Sequence, residues 1–408
     1  MNSVLETKEE LLAAIEQCVD RDDRRGLAVA CYRLGTLYQE EGDLDRAEAQ
    51  YRRSLVLNEA LKEKGDVAAA YVRLGLLYEV RGDRGQAGFY LRESLAIYEK
   101  LEDRDGCGAA IGYLGFLDYS VGRLAEAEEK YDEALAYCRE AGDNEKEAEL
   151  LANLGHLYLA RSVPDRAGAY FDEALALYLQ AGEARGAGGV YVSLGNMHLG
   201  TGAVEVARGY FEKALSIHRA EGYATGRGLA LGGLCEVALR NGVLEQAETL
   251  AREALVCYRD AGHKGHSAAV HGRLGAVLAK QQDYEGACLE LEQALELYEE
   301  MNRTEGVALT CRKLGDIYLK LASEEVDKVE GMYRRALGAY EGLHDEHGRG
   351  QVYVGLGKTA AQRGETTQAI AMWSAASELF SSLGFEDQAQ ELQGAVRHVW
   401  SGGKIQVA

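Results

Sequence analysis

Proline is all but missing: Pro164 stands alone in 408 residues. Sheets and loop-rich folds punctuate with proline, and helix interiors exclude it, so the lack points to a mostly helical chain. No apolar run approaches the roughly 18 residues of a membrane span. The N-terminal MNSVLETKEELLAAIEQ is acidic and has no long apolar core, so it is read as a helix and not as a signal peptide. No C-x-x-C pair occurs among the eight cysteines. Cys31, Cys235 and Cys311 fall at helical core positions, and all eight are read as reduced, small apolar residues of a cytoplasmic protein. Basic residues are in the minority: 45 Lys and Arg against 66 Asp and Glu leave a net charge of −21. That balance works against phosphate backbones and anionic lipid, so neither nucleic acid nor a membrane is an expected partner.

Catalytic signatures are missing as well. There is no G-x-S-x-G, no H-E-x-x-H and no Walker loop, and GAGG at 186–189 opens a helix without following a strand. The Glu324/Glu325 pair reads as solvation of an exposed turn. The string HKGHSAAVH offers His263, His266 and His271, but the last lies on a packing face about 140° around the helix from His266. No metal, cofactor or enzymatic activity is expected from these patterns.

Glycine, by contrast, is abundant, with 49 residues and no Gly/Ser linker to account for them. Many recur inside helical patterns, where each costs roughly 1 kcal/mol against alanine. RLGLLY at 73–78 is one case, with Gly75 amid apolar residues at helical spacing. The Leu-Gly pair returns at one fixed interval, at Leu34, Leu74, Leu114, Leu154, Leu194, Leu274 and Leu314, with Leu234-Cys235 filling the remaining step. A ninth copy, Leu356-Gly357, comes two positions later than that interval requires, which places a short insertion near LASEEVDKVEG.

Further columns keep the same register. Ala47, Ala87, Ala127 and Ala167 share one offset from their leucines; Tyr51, Leu91, Tyr131 and Phe171 share a second; Ser54, Ser94, Ala134 and Ala174 share a third. A last column reads Tyr98, Cys138, Tyr178, Tyr258, Tyr298, Tyr340 and Phe380. Turn signals such as EGD, RGD and VGR separate the first column from the rest, and Asp43, Asp83 and Asp283 are placed to cap the helix that follows. Each unit is therefore helix, turn, helix, turn. Small residues let the two backbones approach closely and aromatic columns fill the gaps. One such hairpin cannot bury its apolar face alone, so neighbours must stack into a solenoid.

This pattern resembles the tetratricopeptide repeat (TPR) family, whose motif W-x2-L-G-x2-Y, A-x3-F and a further small residue is matched by Leu34, Gly35, Tyr38, Ala47, Tyr51 and Ser54, and by Leu154, Gly155, Tyr158, Ala167, Phe171 and Ala174. The period of 40 exceeds the family's usual 34, and the late proline is absent. In this respect the chain is similar to the long-helix repeats of adaptor scaffolds and of some bacterial signalling proteins; HEAT and armadillo repeats share the period but not the columns. The resemblance implies an all-α, right-handed superhelical solenoid. The expected organisation is a capping helix within 1–23, nine repeats over 24–384, a second capping helix over 385–400 and a flexible tail at 401–408.

With the repeat leucine as position 7, positions 4, 7, 8 and 11 share the packing face of the first helix, while 2, 6, 9 and 13 face away, with 5 and 12 on the flanks. By resemblance that opposite face lines the ligand groove. Repeats 1 to 3 place Tyr32, Arg33, Val72, Arg73, Leu76, Val80, Phe116 and Tyr119 there. Two readings fit: curvature buries these residues against their neighbours, or they form a pocket for apolar anchors of a peptide or helix. Repeats 4 and 5 place Asn153, His156, Ser193 and Asn196 there, either as solvated polar groups or as a grip on an extended peptide backbone. Repeats 6 to 9 place Arg240, Arg273, Lys280, Arg312, Lys313, Lys320 and Lys358 there, opposed only by Glu236 and Asp316. In a chain this acidic the cluster reads as an attraction for an acidic partner segment, or else as ordinary charge scatter. The family's carboxylate clamp is not found, which disfavours chaperone C-termini.

The expected function is a non-catalytic, monomeric scaffold that binds a protein or peptide partner. Three alternatives stay open: a peptide-sensing regulator whose superhelix changes on binding, a self-assembling structural protein, and an enzyme subunit that needs a catalytic partner chain.

Overall fold

The computed structural model describes residues 7–40, 42–260, 262–321 and 326–400. The expected tail at 401–408, residues 3–6 of the N-terminal helix and the Glu324/Glu325 pair lie outside the described residues, as does part of the expected insertion. Twenty α-helices and no strand occur among the described residues. The chain forms two compact units, Met1–Gly233 and Leu234–Ala408.

Unit 1 holds α1 (Lys8–Asp20), α2 (Arg24–Glu40), α3 (Leu44–Leu61), α4 (Lys64–Val80), α5 (Arg84–Leu101), α6 (Arg104–Ser120), α7 (Leu124–Ala141), α8 (Asn144–Ala160), α9 (Pro164–Ala181), α10 (Ala184–Gly200) and α11 (Val204–Ala220). The boundary falls inside α12 (Ala224–Arg240). Unit 2 holds α13 (Leu244–Asp260), α14 (Lys264–Lys280), α15 (Tyr284–Glu300), α16 (Thr304–Lys320), α17 (Val326–Gly342), α18 (Glu346–Gln362), α19 (Thr366–Ser382) and α20 (Glu386–Trp400).

The helix starts follow local chemistry. Thr7 and Glu10 form a reciprocal cap on α1, the Glu10 N–H donating to the Thr7 hydroxyl at 3.3 Å and the Thr7 N–H to the Glu10 carboxylate at 2.7 Å. Asp43, Asp83 and Asp283 cap α3, α5 and α15 as the turn signal predicts, accepting from Arg46, Gln86 and Gly286 at 2.9–3.1 Å. Asp103, Asp143 and Asp345 cap first helices in the same way. The turns ahead of α3 and α5 pass through Gly42 and Gly82 at φ +79, a left-handed conformation that glycine adopts without a Cβ penalty.

The glycine column has a specific partner. A Cβ on Gly75 would lie 2.8 Å from Leu91 Cγ, and one on Gly155 would lie 2.5 Å from Phe171 Cε1. Gly35 faces Tyr51, Gly195 faces Phe211, Gly315 faces Tyr333 and Gly357 faces Trp373 in the same relation, each ring coming from the second helix of the same pair. The column residue fills the place where the glycine has no side chain, and Tyr51, Phe171 and Phe211 are completely buried there. A second interlock joins successive pairs. Tyr98 covers Gly106, Tyr178 covers Gly186, Tyr298 covers Gly306 and Tyr340 covers Gly348, always at the same offset. The Tyr column thus clamps the start of the next first helix.

A polar clip runs between neighbouring pairs. Arg81 pairs with Glu48, Arg161 with Glu128 (2.5 Å) and Arg363 with Glu330 (2.5 Å), while Gln281 donates to Glu248 at 3.0 Å. Tyr78 and Tyr158 add their hydroxyls to Glu48 and Glu128. Tyr158 and then Arg161 hold the Glu128 carboxyl below the usual range despite its partial burial.

Within unit 1 the first helices of successive pairs touch: α4 meets α6, α6 meets α8 and α8 meets α10. In unit 2, α14 meets α16 and α16 meets α18. Second helices make no comparable contact with each other among the described residues. The first helices therefore crowd on the inner side of each stack and the second helices splay outward, so the inner face of each unit is concave.

Candidate functional site

The inner face of unit 1 carries a pocket of about 230 Å³ between α6 and α8, bordered by Leu76 of α4. Three residues marked by the repeat register meet in it: Leu76, Phe116 and Asn153. Gly108 and Gly112 form its floor on α6, and Tyr113, Leu150, Lys146 and Glu149 complete the walls.

The pocket has a local cause. At the Tyr-column position between the third and fourth pairs stands Cys138, and at the offset where Gly106, Gly186, Gly306 and Gly348 lie under their tyrosines stands Lys146. The small thiol leaves open the space that a tyrosine ring fills elsewhere. The lysine turns away, its Nζ 2.5 Å from Asp105 and 3.1 Å from Asp143. Side chains at Gly108 and Gly112 would close what remains, because a Cβ on each would stand 3.0 Å from Tyr137 Cβ and Leu150 Cδ2 respectively.

The other residues marked on this unit are placed differently. Arg73 is half-buried and donates through Nε to the Tyr32 hydroxyl at 2.9 Å, with its guanidinium 5.7 Å from that ring. Tyr32 in turn packs edge-on against Tyr51 at 5.9 Å. Val72 and Tyr119, at the flanking positions, lie against the core and do not face the pocket. Arg33, Val80 and Asn196 are exposed. His156 lies edge-on to Phe171 at 5.1 Å with Nε2 3.2 Å from Ser193 Oγ, and burial lowers its pKa.

Tyr113 and Glu149 belong to the pocket and were not singled out from the sequence. They occupy positions 6 and 2 of their repeats, the inward positions the register already defines. Glu149 is open to solvent yet surrounded by protein. Burial, and then Glu145, raise its pKa, while Lys146 works the other way. Tyr113 is raised by burial and by Glu149.

In unit 2 the basic set divides. Arg240 pairs with Glu236 at 3.4 Å and Arg312 with Asp316 at 3.0 Å, Asp316 also accepting from the Tyr333 hydroxyl at 2.6 Å. Arg273 is exposed, and Lys280 and Lys320 are exposed at helix ends. Lys358 is half-buried. Lys313 is half-buried, and burial followed by Arg312 and Arg273 lowers its pKa. Arg273 and Lys313 hold no ion pair among the described residues.

The histidine string does not converge. His266 stacks on Tyr258 at 4.9 Å, His263 lies edge-on to His266, and His271 Nδ1 sits 2.6 Å from Glu290. No helix among the described residues is long and apolar enough to cross a membrane.

The tetratricopeptide repeat family model matches residues 11–100 and 107–180. No curated protein matches the sequence. Among solved structures, a signal transduction ATPase with numerous domains and a tetratricopeptide repeat sensor, from Pyrococcus horikoshii, is similar over 88% of this chain at 15% identity and a TM-score of 0.63. This chain spans 55% of that protein. The Rap conjugation gene regulator of the plasmid pLS20, solved in complex with the Phr* peptide, is similar over 83% of this chain and 96% of its own, at 15% identity and a TM-score of 0.56. The apo form of RapI is similar over 93% and 100%, at 14% identity and a TM-score of 0.53. Identities this low speak for a shared fold only.

Proposed function

Because the chain belongs to the tetratricopeptide repeat family, we propose that it is a non-catalytic scaffold that holds a peptide or a helix against the inner faces of its repeats. The observation that carries this reading is the meeting of Leu76, Phe116 and Asn153 in one pocket on the concave side of unit 1. An apolar side chain of the partner occupies the pocket, and Asn153, with Asn196 further along, bonds the partner's backbone. In unit 2 an acidic residue of the partner is drawn to Arg273 and Lys313, two cations in the middle of their helices that hold no carboxylate of their own among the described residues. The protein acts as a cytoplasmic monomer, with neither nucleic acid nor a membrane as partner.

The test is Leu76→Asp with Phe116→Asp, measured by fluorescence anisotropy on a peptide selected against the wild type. Losing one buried anchor removes roughly 1.5–3 kcal/mol, about ten- to hundred-fold in affinity. Unchanged affinity would sink the apolar half of the proposal. Arg273→Glu with Lys313→Glu should weaken an acidic partner; indifference to that pair would sink the charged half.

A second reading is favoured by the fold shared with a regulator solved with its peptide: the chain senses a peptide by changing its superhelical pitch. Small-angle scattering with and without the selected peptide separates the two, since a rigid scaffold keeps one profile.

A further inference from the structure

The pocket of unit 1 has a charge that the apolar reading leaves out. Glu149 stands in its wall on α8, one turn before Asn153. It makes no hydrogen bond and no ion pair among the described residues. One cation lies close by. Lys146 shares the pocket, but Asp105 and Asp143 already hold its Nζ. Arg73, which borders Tyr113, is itself engaged, its Nε bonded to Tyr32. Glu149 is thus a carboxylate with no counter-ion, crowded by protein on the concave side. Its charged form is opposed by that crowding and by Glu145, and Lys146 relieves this only in part.

An apolar ligand entering this pocket would cover Glu149 further and offer it nothing, and an acidic one would add repulsion. Either loses free energy, because a covered charge without a partner is strongly unfavourable. A ligand cation removes both penalties at once. The space fits this: a cavity of roughly 150 Å³ takes a benzene-sized group, so about 230 Å³ accommodates one aliphatic or aromatic side chain.

We propose that the pocket recognises a peptide segment with an apolar residue beside a lysine or arginine, the apolar side chain lying between Leu76 and Phe116 and the basic group bonded to Glu149. The proposal rests on the groove reading above and adds its charge preference. Glu149 selects by repulsion as well as by attraction, turning acidic segments away from unit 1. Asn153, which makes no hydrogen bond within the chain among the described residues, is free to fix the ligand backbone next to that pair.

The experiment is a random dodecapeptide library displayed on phage, selected in parallel against full-length wild type, Glu149→Gln, Glu149→Asp and Phe116→Asp. Synthetic versions of the wild-type winners are then titrated by calorimetry, with norleucine in place of their lysine or arginine. Wild type should enrich an apolar residue with a basic neighbour, Glu149→Asp should keep that bias, and Glu149→Gln should enrich apolar residues alone. A winning peptide should bind Glu149→Gln, or lose its own basic residue, with a penalty of about ten- to hundred-fold, the range of a charge-assisted hydrogen bond. Glu149 is exposed, so an unchanged melting curve is expected for Glu149→Gln. Wild-type enrichment of apolar residues without basic neighbours, or with acidic ones, overturns the charge preference and leaves the groove reading standing. Enrichment unaffected by Phe116→Asp, or no enrichment at all, overturns both.

Discussion

Helix α10 contains two glycines for which the same substitution should have different effects. A Cβ added to Gly189 meets nothing within 4 Å, whereas one added to Gly195 would lie 2.6 Å from Phe211 Cε1 and 2.8 Å from its Cδ1. The Phe211 ring is completely buried, and the backbone of Gly233 packs on the same edge so closely that a Cβ there would come within 2.3 Å, which leaves the ring little room to shift. Alanine gains about 1 kcal/mol over glycine in a helix interior at either site. At Gly195 that gain meets an overpacking penalty of roughly 1–3 kcal/mol. Gly189→Ala should therefore stabilise the protein by about 1 kcal/mol. Gly195→Ala should range from neutral to a loss of about 2 kcal/mol. Urea denaturation of the full chain measures the pair. A linear array need not unfold in one step, so hydrogen exchange of the α10 and α11 amides supplies the local value. Equal shifts in the same direction would refute the argument that the ring contact is what keeps glycine in this column.

The buried His218 predicts a pH dependence. It is 1% exposed, both ring nitrogens lack a hydrogen-bond partner of good geometry, and burial lowers its pKa. The unfolded chain takes up a proton near pH 6.5 and the folded one only lower, so stability is full above that value and falls as pH drops below it, by at most about 1.4 kcal/mol per unit for this group. Burial shifts His156 and His266 the same way, so His218→Leu should flatten only part of the slope of urea midpoint against pH; an unaltered slope contradicts the assignment. Cys138→Tyr with Lys146→Gly recreates the ring-over-glycine pairing of the four tyrosine clamps. It should close the pocket, abolish binding of a peptide selected on unit 1 and leave the melting curve in place; retained binding would show that the ligand sits elsewhere.

The repeating columns in the sequence carry most of the fold, because each column is a contact. Leu74, Gly75 and Leu91 could be put in register from spacing alone, and Asp43 and Asp83 could be placed as caps from the turn chemistry around them. The pocket was legible only in part. Leu76, Phe116 and Asn153 stand at inward positions, but Val72 and Tyr119, at flanking positions, rotate against the neighbouring helix and join the core. Cys138 was visible as a break in a tyrosine column, yet that a missing ring leaves a cavity depends on where Lys146 goes, and this is set by Asp105, a whole repeat away. The solitude of Glu149 is likewise a matter of which carboxylates reach Lys146 first, which no spacing in the chain encodes.

The tyrosine clamps have a consequence for how such a protein can change over generations. Tyr98 over Gly106, Tyr178 over Gly186, Tyr298 over Gly306 and Tyr340 over Gly348 are four plugs of the kind that is missing at Cys138. Each plug can be removed by one codon change, since TAT or TAC becomes a cysteine codon by a single base, and a cavity opens where the positions matching Gly108 and Gly112 are small as well. The Leu, Gly and Ala columns that hold the stack are untouched by such a change. A lineage can therefore acquire, move or lose a specificity site repeat by repeat while its architecture is inherited intact.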